Sequence, residues 1–178
     1  MTRYVALLRA VNLGSRNKVS MADLRALFAA LGFEDISTYV QSGNVVFRGR
    51  GTAPSVTAAI EDRLRGQLAL DVRVLVRTGA QLAKLVDANP FAAPDVDPAS
   101  LYVTFLADKP AAARVRGLDP ARSEPDEFRV AGRDVYLRCP NGYGRSKLTN
   151  AYFEKGLGVA ATTRNWRTVT KLAELARA

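Results

Sequence analysis

The segment Cys139–Thr149, CPNGYGRSKLT, places two glycines, a serine and two cations within eleven residues. Gly142 and Gly144 lack a Cβ, so the chain there can take positive φ and turn N–H groups inward. Ser146 is expected to cap a helix over Lys147–Gly156, whose first amides and dipole would favour an anion. Arg145 and Lys147 add positive charge, and Asn141 and Tyr143 stand beside them. This is the chemistry of a phosphate cradle, although the spacing is neither GxxxxGK[ST] nor GxGxxG. A tight turn followed by a helix cap accounts for the same residues.

Three further sets have a similar character. Arg9, Asn12, Arg16, Asn17 and Lys18, with Gly14 among them, precede a helix expected to open at Ser20. They would place amides and cations near a second helix N-terminus, or form a long polar surface loop. Gln41, Ser42, Gly43 and Asn44 suit a hairpin turn. In Thr162–Trp166, TTRNW, Asn165 suits an N-cap, Trp166 suits a core position, and Arg164 suits an anion partner or solvent.

Histidine is absent, so a Ser-His-Asp or Cys-His engine cannot be assembled within the chain. The commonest transition-metal ligand is missing with it, and no metal is expected. The one cysteine, Cys139, precedes a proline at a strand end and reads as a small buried hydrophobe. Glu61, Asp62, Glu124, Asp126 and Glu127 read as solvated surface groups. No acid–base pair stands out, no catalytic residue is assigned, and no cofactor is implied.

These segments need elements to hold them. Strands are expected at Tyr4–Arg9, Ile36–Val40, Val45–Phe47 and Asp71–Arg77. Helices are expected from Ser20, with Leu24, Leu27, Phe28 and Leu31 on one face, and from Pro54, with Val56, Ile60, Leu64 and Leu68. The order β-α-β-β-α-β is the ferredoxin-like arrangement. Thr78 and Gln81 form a capping-box pattern for a linking helix, and Pro94 and Pro98 mark a boundary. The order then recurs: a strand at Leu101–Leu106, a helix at Pro110–Gly117, strands at Glu127–Val130 and Val135–Arg138, the helix from Lys147, a strand at Val159–Thr163 and a last helix behind Asn165. The fold class expected is α+β, two linked ferredoxin-like lobes from internal duplication, with residues 1–78 as the first lobe, 79–99 as linker and 100–178 as the second.

The chain has 178 residues and a formal net charge of +9, unevenly spread: +5 over residues 1–78, −2 over 79–132 and +6 over 133–178. Such a balance favours anionic partners. Arginine outnumbers lysine 20 to 6, which a GC-rich genome would also produce. The apolar fraction of 48% suffices for a core without metals or disulfides. No run reaches the roughly 18 apolar residues of a membrane span and no signal peptide is visible, so a cytoplasmic protein with no membrane partner is expected.

The motifs YVALLRAVNLGSRNKVSMADLRALFAALGF from Tyr4, TYVQSGNVVF, NGYGRSKLTNAYFEK and ATTRNWRTVTKL resemble the bacterial family known as domain of unknown function 1697, from about Arg3 to Ala176. The resemblance implies two linked ferredoxin-like lobes. It marks Arg9, Asn12, Lys18, Ser42, Gly43, Asn44, Asn141, Gly142, Tyr143, Gly144, Ser146, Lys147, Thr163, Arg164, Asn165 and Trp166 as the family's motif positions. At Ala10 and Ser15 related chains often carry glycine. The expectation is a basic cleft formed where loops of the two lobes meet. It would bind a phosphorylated small molecule or nucleotide, with Arg9 and Lys147 as charge partners and the Gly142–Gly144 backbone as cradle. RNA binding and an enzyme acting on a phosphate ester stay open.

Overall fold

A computed structural model describes residues 1–177. The elements run β1 (Thr2–Leu8), α1 (Met21–Ala30), β2 (Glu34–Thr38), β3 (Asn44–Gly49), α2 (Ala53–Leu68), β4 (Val74–Thr78), α3 (Gly79–Asp87), β5 (Leu101–Leu106), α4 (Ala112–Arg116), β6 (Glu127–Ala131), β7 (Asp134–Arg138), α5 (Asn150–Leu157), β8 (Ala161–Asn165) and α6 (Trp166–Leu175). The protein is mixed α+β, with two four-stranded antiparallel sheets of order β2-β3-β1-β4 and β6-β7-β5-β8.

Two compact units result. Residues 1–87 group with the chain from Lys171 on, and Ala88–Thr170 form the other. The helix expected to link two lobes, α3, therefore belongs to the first unit, and the division falls within α6.

In the first unit Tyr4, Ala6 and Leu8 of β1, Val45 and Phe47 of β3, and Val74 and Val76 of β4 pack against Leu24, Leu27 and Phe28 of α1 and Val56, Ile60 and Leu64 of α2. Between them along β1, Val5 and Leu7 are also fully buried. Burial on both faces explains a continuous apolar run in place of alternation. In the second unit Leu106, Val135, Leu137 and Cys139 meet Phe153 and Leu157 of α5. Removing a side chain such as Phe153, wholly buried, costs about 3–5 kcal/mol in such settings.

Capping fixes the helix starts. The Asp23 amide donates to Ser20 Oγ (3.0 Å), and Thr52 and Ser55 make a reciprocal capping box one residue ahead of Ala53. Thr78 and Gln81 do the same for α3, each backbone amide donating to the other's side chain.

Candidate functional site

In the first unit the loop after β1 and the turn before β3 come together. Asn12 Nδ2 donates to the carbonyl oxygens of Val19 (3.0 Å) and Gln41 (2.7 Å), while Asn12 Oδ1 accepts from the Val19 amide (2.9 Å). Its side chain staples the loop to itself and to the turn. Asn17 Nδ2 donates to the Ala10 carbonyl (3.1 Å). Asn44, buried at the head of β3, donates to the Tyr39 carbonyl and Ser42 Oγ, both at 2.9 Å. Gly43 sits at φ +80, its carbonyl accepting from the Leu8 amide, and a Cβ there would lie 2.5 Å from Val11 Cγ2. Asn12, Gly43 and Asn44 thus build a frame, from which Arg16 and Lys18 extend exposed while Arg9 is half-buried. Ala10 has φ +57, a left-handed position that suits the glycine of related chains.

In the second unit the glycine turn is not joined to a helix end. Gly142 has φ +87 and its amide donates to the Cys139 carbonyl (3.0 Å); Tyr143–Arg145 form one 3-10 turn. The helix expected from Lys147 begins instead at Asn150, capped by Thr149 Oγ1, which accepts from the Tyr152 amide (3.1 Å). Ser146 is extended, and its Oγ accepts from the Leu148 amide two residues on (3.0 Å), a local turn that competes with helix entry. The Ser146 amide donates to the Tyr143 carbonyl and the Lys147 amide to Ser123 Oγ. The cradle amides expected from the sequence are in large part engaged, while Asn141, Gly144, Arg145 and Lys147 are exposed.

Tyr143 turns the other way, into a polar cluster on the sheet. Thr163 Oγ1 donates to Asn150 Oδ1 (2.6 Å), lies 2.7 Å from Thr104 Oγ1, and accepts from the Tyr143 hydroxyl (3.3 Å). A threonine has one proton to give, so Thr104 must be the donor to Thr163. Burial, foremost, holds the Tyr143 phenol above its usual range, so it stays a neutral donor. Its ring lies 5.2 Å from that of Tyr102.

β8 runs two residues beyond its expected end, which makes Arg164 a strand residue, and a buried one. Its Nη1 donates to Thr162 Oγ1 (2.7 Å) and the Thr163 carbonyl (3.0 Å), and burial lowers its pKa to about 10. Arg77 occupies the same register in the other sheet, opposite Val5 as Arg164 is opposite Val103. Cys139 is buried, and its thiol is pushed up to about 11 by burial and by Asp126, against a hydrogen bond with Ser146. That is the opposite of an activated nucleophile.

Beside this cluster lies a cavity of about 650 Å³, lined by Pro98, Tyr102, Asn165, Trp166, Arg167 and Thr170. Tyr102 and Asn165 are cross-strand partners on β5 and β8, and Trp166 and Arg167 open α6. Asn165 Oδ1 accepts from the Thr168 amide (2.8 Å), capping the helix. Asn165 and Trp166 were legible in the sequence. Tyr102 was not, since nothing but the strand pairing relates positions so far apart, and Arg167, next to Trp166, carried no signal beyond its charge. A second groove, of about 600 Å³, is lined by Leu118, Arg122, Thr149, Tyr152 and Lys155, with the Arg122 guanidinium 5.2 Å from the Tyr152 ring. In the first unit a third, of about 590 Å³, is lined by Leu31, Ala59, Asp62, Arg63 and Gln67. Among the described residues there is no group of three His, Cys, Asp or Glu able to hold a metal, and no helix long and apolar enough to cross a membrane.

The conserved bacterial protein SP0830 from Streptococcus pneumoniae is similar in structure, with a TM-score of 0.74 over 98% of each chain at 20% sequence identity. A likeness at that identity speaks to the fold alone. No curated protein matches the sequence. The family model described as protein of unknown function (DUF1697) matches residues 1–136, including the loop and turn framed by Asn12 and Asn44, and the chain belongs to that family.

Proposed function

We propose that the protein binds a phosphorylated small molecule or nucleotide in the cavity of the second unit. The observation that carries this reading is the composition of the walls. Tyr102 and Trp166 offer aromatic surface, Arg167 is an exposed cation, and Asn165 supplies a polar side chain. A volume of about 650 Å³ falls within the roughly 300–1,000 Å³ of small-molecule sites, and such sites are walled by apolar groups with a few fixed polar ones. The Tyr102 hydroxyl has no partner among the described residues, whereas the Tyr4 hydroxyl, at the like position of β1, donates to the Gly51 carbonyl (2.7 Å).

The same reading takes each unit as one ferredoxin-like repeat of a duplicated ancestor. Equal strand orders, the matched registers of Arg77 and Arg164, and a capped helix after each last strand support it. Cytoplasmic residence accords with a lone, buried cysteine.

Trp166 is the single tryptophan, so its fluorescence reports on this cavity alone. Titration with nucleoside monophosphates and ribose 5-phosphate is expected to change that emission saturably. Arg167→Ala is expected to weaken phosphorylated ligands about tenfold, the loss of one charge-assisted contact, with little effect on the unphosphorylated nucleoside. Emission unchanged by every one of these ligands at millimolar concentration would refute the reading.

A further inference from the structure

The cap on α6 limits what Asn165 can say to a ligand. A side-chain amide can read a ring through its oxygen, its NH2 group, or both. Here Oδ1 is already committed, accepting from the Thr168 amide at 2.8 Å, and that bond fixes the amide's orientation because only an oxygen can meet a backbone N–H. The amino group Nδ2 has no partner among the described residues, and Asn165 is exposed and lines the cavity. The residue therefore has two free hydrogens to give, while one of the two lone pairs of its oxygen is already spent on the helix. Adenine recognition by asparagine uses both ends of the amide, the oxygen taking the adenine amino group. In that mode the adenine amino group would have to share Oδ1 with the Thr168 amide as long as Asn165 caps the helix, whereas both Nδ2 hydrogens are free.

We infer that Asn165 selects, within the binding reading above on which this rests, planar rings whose facing edge carries acceptors and no amino group. Among purines that edge is guanine O6 and N7. Tyr102 and Trp166 supply the aromatic surface for the ring and Arg167 the cation for the phosphate. Selection follows from what the fold has already used, since the helix holds the oxygen.

The test compares GMP, 7-deaza-GMP and AMP by Trp166 emission in the wild type and in Asn165→Asp. Aspartate caps a helix about as well as asparagine, but it offers the cavity an acceptor. The wild type should favour GMP over AMP by on the order of tenfold, the value of one good hydrogen-bonded edge. 7-deaza-GMP, lacking one acceptor, should lose a comparable factor. In Asn165→Asp the GMP-to-AMP ratio should collapse or invert, at unchanged melting temperature. The ratio cancels the added negative charge, which both nucleotides meet equally. Equal binding of GMP and AMP by the wild type would overturn the inference while leaving the proposed function standing, and so would a preference that Asn165→Asp preserves. The 7-deaza arm needs no variant, so undiminished binding of that analogue overturns the inference even if Asn165→Asp misfolds. Failure of all three nucleotides to alter emission overturns both.

Discussion

Thr163 has one proton and two lone pairs, and the cluster uses them all: it donates to Asn150 and accepts from Thr104 and Tyr143. Thr163→Val keeps the shape and strands three partners at once, so it should cost about 2–3 kcal/mol in urea unfolding, more than Thr104→Val, which strands one. A double-mutant cycle on the two should show coupling of at least about 0.5 kcal/mol. At Ala10 and Gly43 the backbone decides. Ala10→Gly relieves a Cβ held at φ +57 and should stabilise by up to about 1 kcal/mol. Gly43→Ala puts a Cβ at φ +80 against Val11 and Leu8 and should destabilise by about 2–4 kcal/mol. Cys139 titrates near 11 in the folded chain against 9.0 for an unperturbed thiol. Its folded pKa is raised, so its contribution to stability is complete below pH 9.0 and lost as pH rises toward 11. Cys139→Ala should therefore flatten the fall in melting temperature across that window.

At the scale of elements, α5 shows how a sequence can name a cap and misplace it. Ser146 and Thr149 stand three residues apart, and each is a hydroxyl residue ahead of an apolar-periodic run, so either could begin the helix. The structure uses Thr149, because Ser146 spends its oxygen on Leu148 and the Lys147 amide is held by Ser123. Ser123 lies 24 residues away in sequence, where no local pattern points to it. The signature of a true N-cap is that Thr149→Ala costs about 1 kcal/mol while Thr149→Gly costs only a few tenths. Equal losses, measured by urea denaturation, would place the cap elsewhere. Strand order and both long helices of the first unit were legible because apolar spacing carries them. The burial of Arg164 was not, since its charge masks a strand position whose face only pairing with Val103 reveals. Of the cavity, Asn165 and Trp166 were visible as a cap and its helix. Tyr102 joined them only through its register with Asn165.

At the scale of the whole molecule, charge and cavity are different things. The net charge is +9, and the described cavity holds one of those cations, Arg167. The remaining surplus is spread over both units, and a surface so charged will hold polyanions regardless of their sequence or shape. Such binding releases counterions, so a single-stranded RNA making about three phosphate contacts should lose affinity on the order of tenfold to thirtyfold between 50 and 200 mM salt. A mononucleotide meeting one cation in a partly enclosed site should lose about threefold or less over the same range. The two modes should also differ optically: RNA held by the outer surface leaves Trp166 emission unchanged, while the mononucleotide alters it. Anisotropy of a labelled oligonucleotide and Trp166 emission, recorded across one salt series, separate them. If the oligonucleotide alters Trp166 emission and an unlabelled mononucleotide displaces it, the cavity is the mouth of a nucleic-acid site, and RNA becomes the physiological partner. If the two signals stay independent, the charge serves solubility and encounter, and the cavity alone carries specificity.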